Sequence, residues 1–229
     1  MKDKLMYLYI GAVAVVVVAG TLIHGSGSWT VTCVACTIVC ILPFFIRFER
    51  ENNTLKNVTL AVLVALSCVG RMAFAPFPGF KPVAAVTIIC GMYMGPVYGF
   101  MCGSLSAVLS NLYFGQGPWT AFQMLAWGLC GFFAGLWRRP LKKNRWLLMI
   151  YGAVCGVMFS LILDIWTSVW MDDAFNAARF FSYVAVSLPM MAQYSVSNCI
   201  FLWFLAGPVG RRLDRIFLKY GIEKDSSYV

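Results

Sequence analysis

Two charged side chains stand where charge is costly. Asp164 lies within the apolar run Trp146 to Trp170, and Arg71 lies near the end of another, Val58 to Phe74. A carboxylate at mid-helix in lipid costs about 2.5–3.5 kcal/mol on insertion scales, so Asp164 must face other helices and find a partner there. Arg71, expected at a similar depth, is the best-placed cation. A structural ion pair between the two and a contact with a ligand both fit that spacing. Trp119, Gln123 and Trp127 recur at i, i+4 and i+8, which puts them on one helix face. Asn111 ends the preceding apolar run, Gln116 sits in a short Gly-flanked loop, and Trp166 and Trp170 follow Asp164. On the last apolar run Tyr183, Ser187, Tyr194 and Asn198 lie roughly on one stripe. Aromatic walls carrying a few placed hydrogen-bonding groups are what a small-molecule pocket requires. The expected chemistry is therefore non-covalent recognition. Each piece also has a plainer reading. Tryptophans near span ends form interface belts, Asn111 and Gln123 can join helix to helix, and Arg71 can snorkel to headgroups.

Other chemistries lack their parts. There is no GxxxxGK[ST] to cradle phosphates, no HExxH or GxSxG, and no acidic cluster suited to a metal. With one histidine, His24, and one acid inside a span, acid–base catalysis has few candidates. Cys33-Val-Ala-Cys36 reads formally as CxxC, and Cys40 shares its helical face, but no second pair at metal spacing accompanies them. These cysteines read as small thiols packing between helices. No catalytic residue, metal site or cofactor is expected.

The elements that must position these residues are membrane spans. Of 229 residues, 61% are hydrophobic and 12% charged, and the mean hydropathy is +0.78. An ordinary globular domain is closer to half apolar and a quarter charged. Spans that each cross about 30 Å of hydrocarbon with about 20 residues absorb the excess. The apolar runs are Leu5–Ile23, Trp29–Ile46, Val58–Phe74, Val83–Tyr113, Trp119–Trp137, Trp146–Trp170 and Phe181–Ala206. The fourth is too long for one span, and Gly95-Pro96 and Gly99 break it into two short helices with a tight turn near residues 95–99. The fold class is thus all-α integral membrane protein with about eight transmembrane helices. Lys2 and Lys4 before the first run also suit a signal peptide, but His24-Gly25-Ser26-Gly27-Ser28 offers no cleavage motif, so the run is read as a retained span.

Eight spans with the N-terminus inside put Lys2, Lys4, Arg47, Arg50, Lys56, Arg138, Arg139, Lys142, Lys143, Arg145, Arg211, Arg212, Arg215, Lys219 and Lys224 on the cytoplasmic side. Arg71, Lys81 and Arg179 remain outside. This asymmetry obeys the positive-inside rule and places both termini in the cytoplasm of a cell-membrane protein. It also accounts for the net charge of +9 without a nucleic-acid partner. The expected organisation is two plain helices over residues 1–47, a more polar six-helix core over 57–212, and a cytoplasmic tail over 213–229. Ala61 and Ala65, and Gly91, Gly95, Gly99 and Gly103, recur at the small-xxx-small spacing that lets helices approach closely.

The stretch Asn57 to Trp137 resembles the substrate-binding S component of energy-coupling-factor (ECF) vitamin transporters. Three segments carry the resemblance: Ala61-Val-Leu-Val-Ala65; Gly70-Arg71-Met72-Ala73-Phe74 before a Pro-rich loop ending Lys81-Pro82; and Ser110-Asn111-Leu-Tyr-Phe-Gly115-Gln-Gly-Pro-Trp-Thr120 leading into Phe122-Gln123-Met124-Leu-Ala-Trp127-Gly128. The resemblance implies a six-helix subunit that binds a vitamin from outside under loops 75–82, 114–118 and 171–180. It implies partners, namely a transmembrane coupling protein docking at Ala61 and Ala65, and two ATPases. The leading two spans depart from that pattern. The GQGPW-T and FQM-AWG runs are most similar to S components assigned to cobalamin-type corrinoids. The substrate-binding set is accordingly expected to be Arg71, Asn111, Gln116, Trp119, Thr120, Gln123, Trp127, Asp164, Trp170, Tyr194 and Asn198. The alternative function is a proton-coupled secondary transporter of a small polar metabolite that leans on Asp164.

Overall fold

A computed structural model of the chain describes residues 54–172 and 176–220, all of them helix or short connection. The first two expected spans and the Cys33, Cys36 and Cys40 face lie outside the described residues. Seven helices are described: α1 (Thr54–Ala73), α2 (Val83–Met94), α3 (Pro96–Phe114), α4 (Trp119–Leu136), α5 (Arg138–Lys143), α6 (Arg145–Asp172) and α7 (Ala177–Lys219). Among them α1, α3, α4 and α6 are long and apolar enough to cross a membrane.

The helices run up and down and define two ends. The loop end carries the connections 74–82 and 115–118. The basic end carries Gly95, α5 and the tail of α7. The expected turn falls at Gly95, the single residue between α2 and α3, where φ is +97°. That left-handed value suits glycine, and Pro96 then opens α3 with a φ already helical. At 12 residues α2 is about 18 Å long, too short to cross a bilayer alone. It is buried on every face except at Tyr93 and packs against α1, α3, α4 and α7, so it is the core of the bundle.

Glycines set how closely the helices meet. A Cβ on Gly91 would lie 2.0 Å from the Gly131 carbonyl oxygen, and one on Gly99 would lie 2.3 Å from the same atom. A Cβ on Gly103 would meet the Trp127 backbone at 2.3 Å. The glycine spacing of the sequence is therefore used for α2–α3–α4 contact, with Gly95 as the exception that makes the turn. The cysteines at positions 68, 90, 102, 130 and 155 are buried free thiols.

Several boundaries differ from the sequence expectation, two helices most instructively. α6 begins at Arg145, where the Asn144 side chain caps it by accepting from the Trp146 and Leu147 amides at 2.9 and 3.1 Å. The last helix is longer than the expected Phe181–Ala206. It runs 43 residues through Pro189 and Pro208, about 65 Å at 1.5 Å per residue. A helix-interior proline frees a carbonyl, but packed neighbours compensate for that inside a bundle. Hydropathy ends a span where polarity begins, whereas the helix continues into the basic segment.

Candidate binding site

At the loop end a cavity of about 100 Å³ is lined by Arg71, Lys81, Val83, Ala84, Gln123, Trp127, Gly156, Phe159, Tyr194 and Asn198. Helices α1, α2, α4, α6 and α7 and the 74–82 connection each contribute to it. Gly156 gives room by keeping α6 close to α7, since a Cβ there would strike the Ser195 backbone at 2.5 Å.

The aromatic wall is ordered by ring contacts. Trp127 stacks on Phe159 with centroids 5.0 Å apart and planes 17° apart. Phe159 meets Tyr194 edge-on at 5.0 Å. The Arg71 guanidinium lies 4.5 Å from the Phe114 ring and 5.0 Å from the Trp127 ring. Cation–π contacts of this kind are worth about 2 kcal/mol or more when desolvated.

A polar network holds Arg71 in place. Its Nη1 donates to Ser110 Oγ and to Asn111 Oδ1, the latter at 2.7 Å. The Asn111 amide in turn donates to Gln123 Oε1 at 2.8 Å and to Thr120 Oγ at 3.0 Å. Thr120 donates to Gln116 Oε1, and Gln116 Nε2 donates to the Val108 carbonyl at 2.7 Å. Asn111, Thr120 and Gln116 thus stand behind the cavity wall and orient Arg71 and Gln123 rather than line the space.

Lys81 enters from the connection. Its backbone N–H donates to Ser197 Oγ at 2.9 Å, and Ser197 donates back to the Lys81 carbonyl at 3.2 Å. Phe74 and Phe80 both pack on Phe201, so the segment is held to α7 on both sides of Gly79. Burial, and then the neighbouring Arg71 charge, hold the Lys81 ammonium below its usual range.

Of the residues expected to bind ligand, Arg71, Gln123, Trp127, Tyr194 and Asn198 meet at the cavity. Asn198 donates its amide N–H to the Gly152 carbonyl at 3.0 Å. Three others do not line the cavity. Trp119 and Trp170, 36% and 42% exposed, flank Trp166 instead, with centroids 6.0 Å apart in each case. Asp164 is only 8% exposed, and its carboxylate accepts from Ser187 Oγ at 2.6 Å. Of the two readings of the Asp164–Arg71 spacing, the ion pair is absent among the described residues. The hydroxyl one helix away satisfies the acid, while α3 holds the arginine. Lys81, Phe159 and Phe114 were not foreseen. The signal for Lys81 was available, since it is the one cation in a Pro/Gly-rich connection.

Residues 55–207 match the protein family described as ECF transporter, substrate-specific component. A relative is the Streptococcus mutans serotype c protein named Folate transporter FolT, 23% identical over 158 residues that cover 62% of this chain and 84% of the relative. No solved structure matches. Neither match supports the corrinoid expected from the GQGPW-T and FQM-AWG runs.

Proposed function

The chain belongs to the substrate-specific components of ECF transporters, and on that premise we propose that it captures a vitamin-type molecule in the cavity beneath residues 74–82. Members of this family are substrate-binding subunits, not enzymes, and they work with a coupling protein and ATPases. The chain is accordingly a non-catalytic, multi-pass membrane subunit. One observation carries the reading of the site: within the matched residues, one cavity combines a three-ring wall with the side chains of Arg71, Lys81 and Gln123.

We favour a folate-type ligand over a corrinoid. The relative's name supports the first. Sites that enclose a drug-sized ligand span roughly 300–1,000 Å³, and about 100 Å³ accommodates one ring or one acidic group until the latch at Ser197 opens. The loop end faces outward in this reading. The basic end carries Arg138, Arg139, Lys142, Lys143, Arg145, Arg211, Arg212, Arg215 and Lys219 and faces the cytoplasm. Ala61 and Ala65 are exposed on α1 beside Val58, Val62 and Val69, and this apolar face is the proposed dock for the coupling protein.

The test is a binding screen of the detergent-purified chain by native mass spectrometry with folate, cobalamin and other vitamins. Folate retained at one per chain is the expected result. Gln123→Ala together with Trp127→Ala should then weaken binding about 100-fold or more, since a buried hydrogen-bonding group and an aromatic wall are both lost. Unchanged affinity in that double variant would move the site elsewhere. Ala61→Trp with Ala65→Trp should abolish uptake and spare binding.

A further inference from the structure

Reading the cavity as the substrate site, we propose that the substrate is an organic anion and that its negatively charged group docks on Arg71 and Lys81. The first observation is the state of Arg71. It is 6% exposed, and both of its hydrogen bonds leave from a single terminal nitrogen toward α3. Its Nε is buried without a partner. The Phe114 and Trp127 rings lie within 5.0 Å of the guanidinium and take up space beside it. The unspent Nε belongs to the in-plane edge by which an arginine takes two oxygens of a carboxylate or a phosphate.

The second observation is the second cation. Lys81 lines the same cavity, its Nζ lies 5.4 Å from the same Phe114 ring, and its backbone is pinned by Ser197. Among the described residues the cavity lining holds these two positive charges and no acid. Asp164 accepts from Ser187 and does not line the space. Two like charges in a low-dielectric site repel, and leaving a buried charge without a counter-ion is expensive. An arriving anion relieves both costs at once.

The third observation is the polarity of the neutral groups beside them. Gln123 receives the Asn111 amide on its oxygen, which leaves its own NH₂ for the ligand. The corner formed by Arg71, Lys81 and Gln123 therefore offers donors. A donor-only corner selects a group made of acceptors and rejects a cation.

Matched pairs of ligands test this on the full-length protein in detergent. Each anion is titrated beside its uncharged twin: folate and its diamide, biotin and biotinamide, pantothenate and panthenol, pyridoxal phosphate and pyridoxal, riboflavin phosphate and riboflavin. The expected result is that the retained ligand is an anion and that its twin binds at least tenfold more weakly. Which pair responds distinguishes a carboxylate from a phosphate. Lys81→Met should weaken the anion at least tenfold and erase most of its preference over the twin. Arg71→Lys, which keeps the charge and loses the fork, should also weaken the anion at least tenfold. A neutral or cationic vitamin as best binder overturns the anion proposal and leaves the vitamin-capture reading intact. A preference that survives in both folded variants overturns the assignment to Arg71 and Lys81. No binding by any vitamin overturns both readings.

Discussion

The two ends of the α2–α3–α4 trio are built on opposite principles. At the basic end, Gly91, Gly99 and Gly131 bring backbone against backbone, with no room for even one added methyl group. Toward the loop end α3 and α4 are joined by polar side chains instead, with Asn111 donating to Gln123 and Thr120. Close packing is intolerant of change because interiors have crystal-like density. The polar end is held by directed bonds, and it leaves donor capacity on Arg71 unspent. A rigid base with an incompletely satisfied rim is what a binding subunit needs: the base fixes the spacing of the groups that the ligand must complete.

The largest effect should come from filling the base. Gly131→Val places a branched side chain against the Gly99 backbone, which a Cβ alone would approach to 2.3 Å. Overpacking of this kind costs about 3 kcal/mol or more when backbone must move. The melting temperature in detergent should fall sharply, with little folded protein recovered. A variant that melts like the parent would mean that the helices are free to spread, and the contrast between the two ends would disappear.

Removing the hub of the rim comes next. Asn111→Leu leaves Gln123 and Arg71 each short of a partner, and a buried polar group so orphaned costs about 1–3 kcal/mol. Affinity should fall about tenfold or more, with a smaller loss of melting temperature than in Gly131→Val. The reverse pattern, a large loss of stability with binding intact, would turn the network into helix glue and locate recognition elsewhere.

A pH titration sharpens the rim further. Burial and Arg71 lower the Lys81 pKa from its ordinary 10.5 in the free protein, and a docked anion restores it. Protonated lysine is the binding form, so affinity should stay flat below the lowered pKa. It should then decline as pH rises through that value, by at most about tenfold per pH unit. Lys81→Met should abolish the slope. A slope of the opposite sign would mean that the ligand prefers neutral lysine.

Much of the base was legible in the sequence, because Gly-Pro at 95–96 and the four-residue glycine spacing are local signals with a direct steric meaning. The rim was legible in part. Helical periodicity placed Gln123 and Trp127 on one face, and intramembrane position marked Arg71 and Asp164 as residues needing partners. It did not give the partners. Those depend on which helix stands opposite, and so Ser110 and Asn111 took the arginine while Ser187 took the acid. Lys81 was missed for a related reason. Its place in the site comes from a connection folded back onto α7 at Ser197, across 116 residues of sequence, and no period reaches that far.

The smallest expected effect separates the two transport mechanisms. Asp164 lies behind the cavity, and its one hydrogen bond, from Ser187, survives replacement by asparagine because the amide oxygen accepts in the same place. Asp164→Asn should therefore change ligand affinity less than threefold, or about 0.6 kcal/mol. Uptake in membranes that contain the coupling protein and ATPases should remain dependent on ATP and insensitive to an ionophore. A proton-coupled carrier behaves otherwise, since its single intramembrane acid must take up and release a proton in each cycle. There, the asparagine would stop uptake while leaving binding in place. Loss of gradient-driven uptake in Asp164→Asn would thus transfer the working residue from the rim at Arg71 to the α6–α7 interface, and with it the energy source from ATP to the proton gradient.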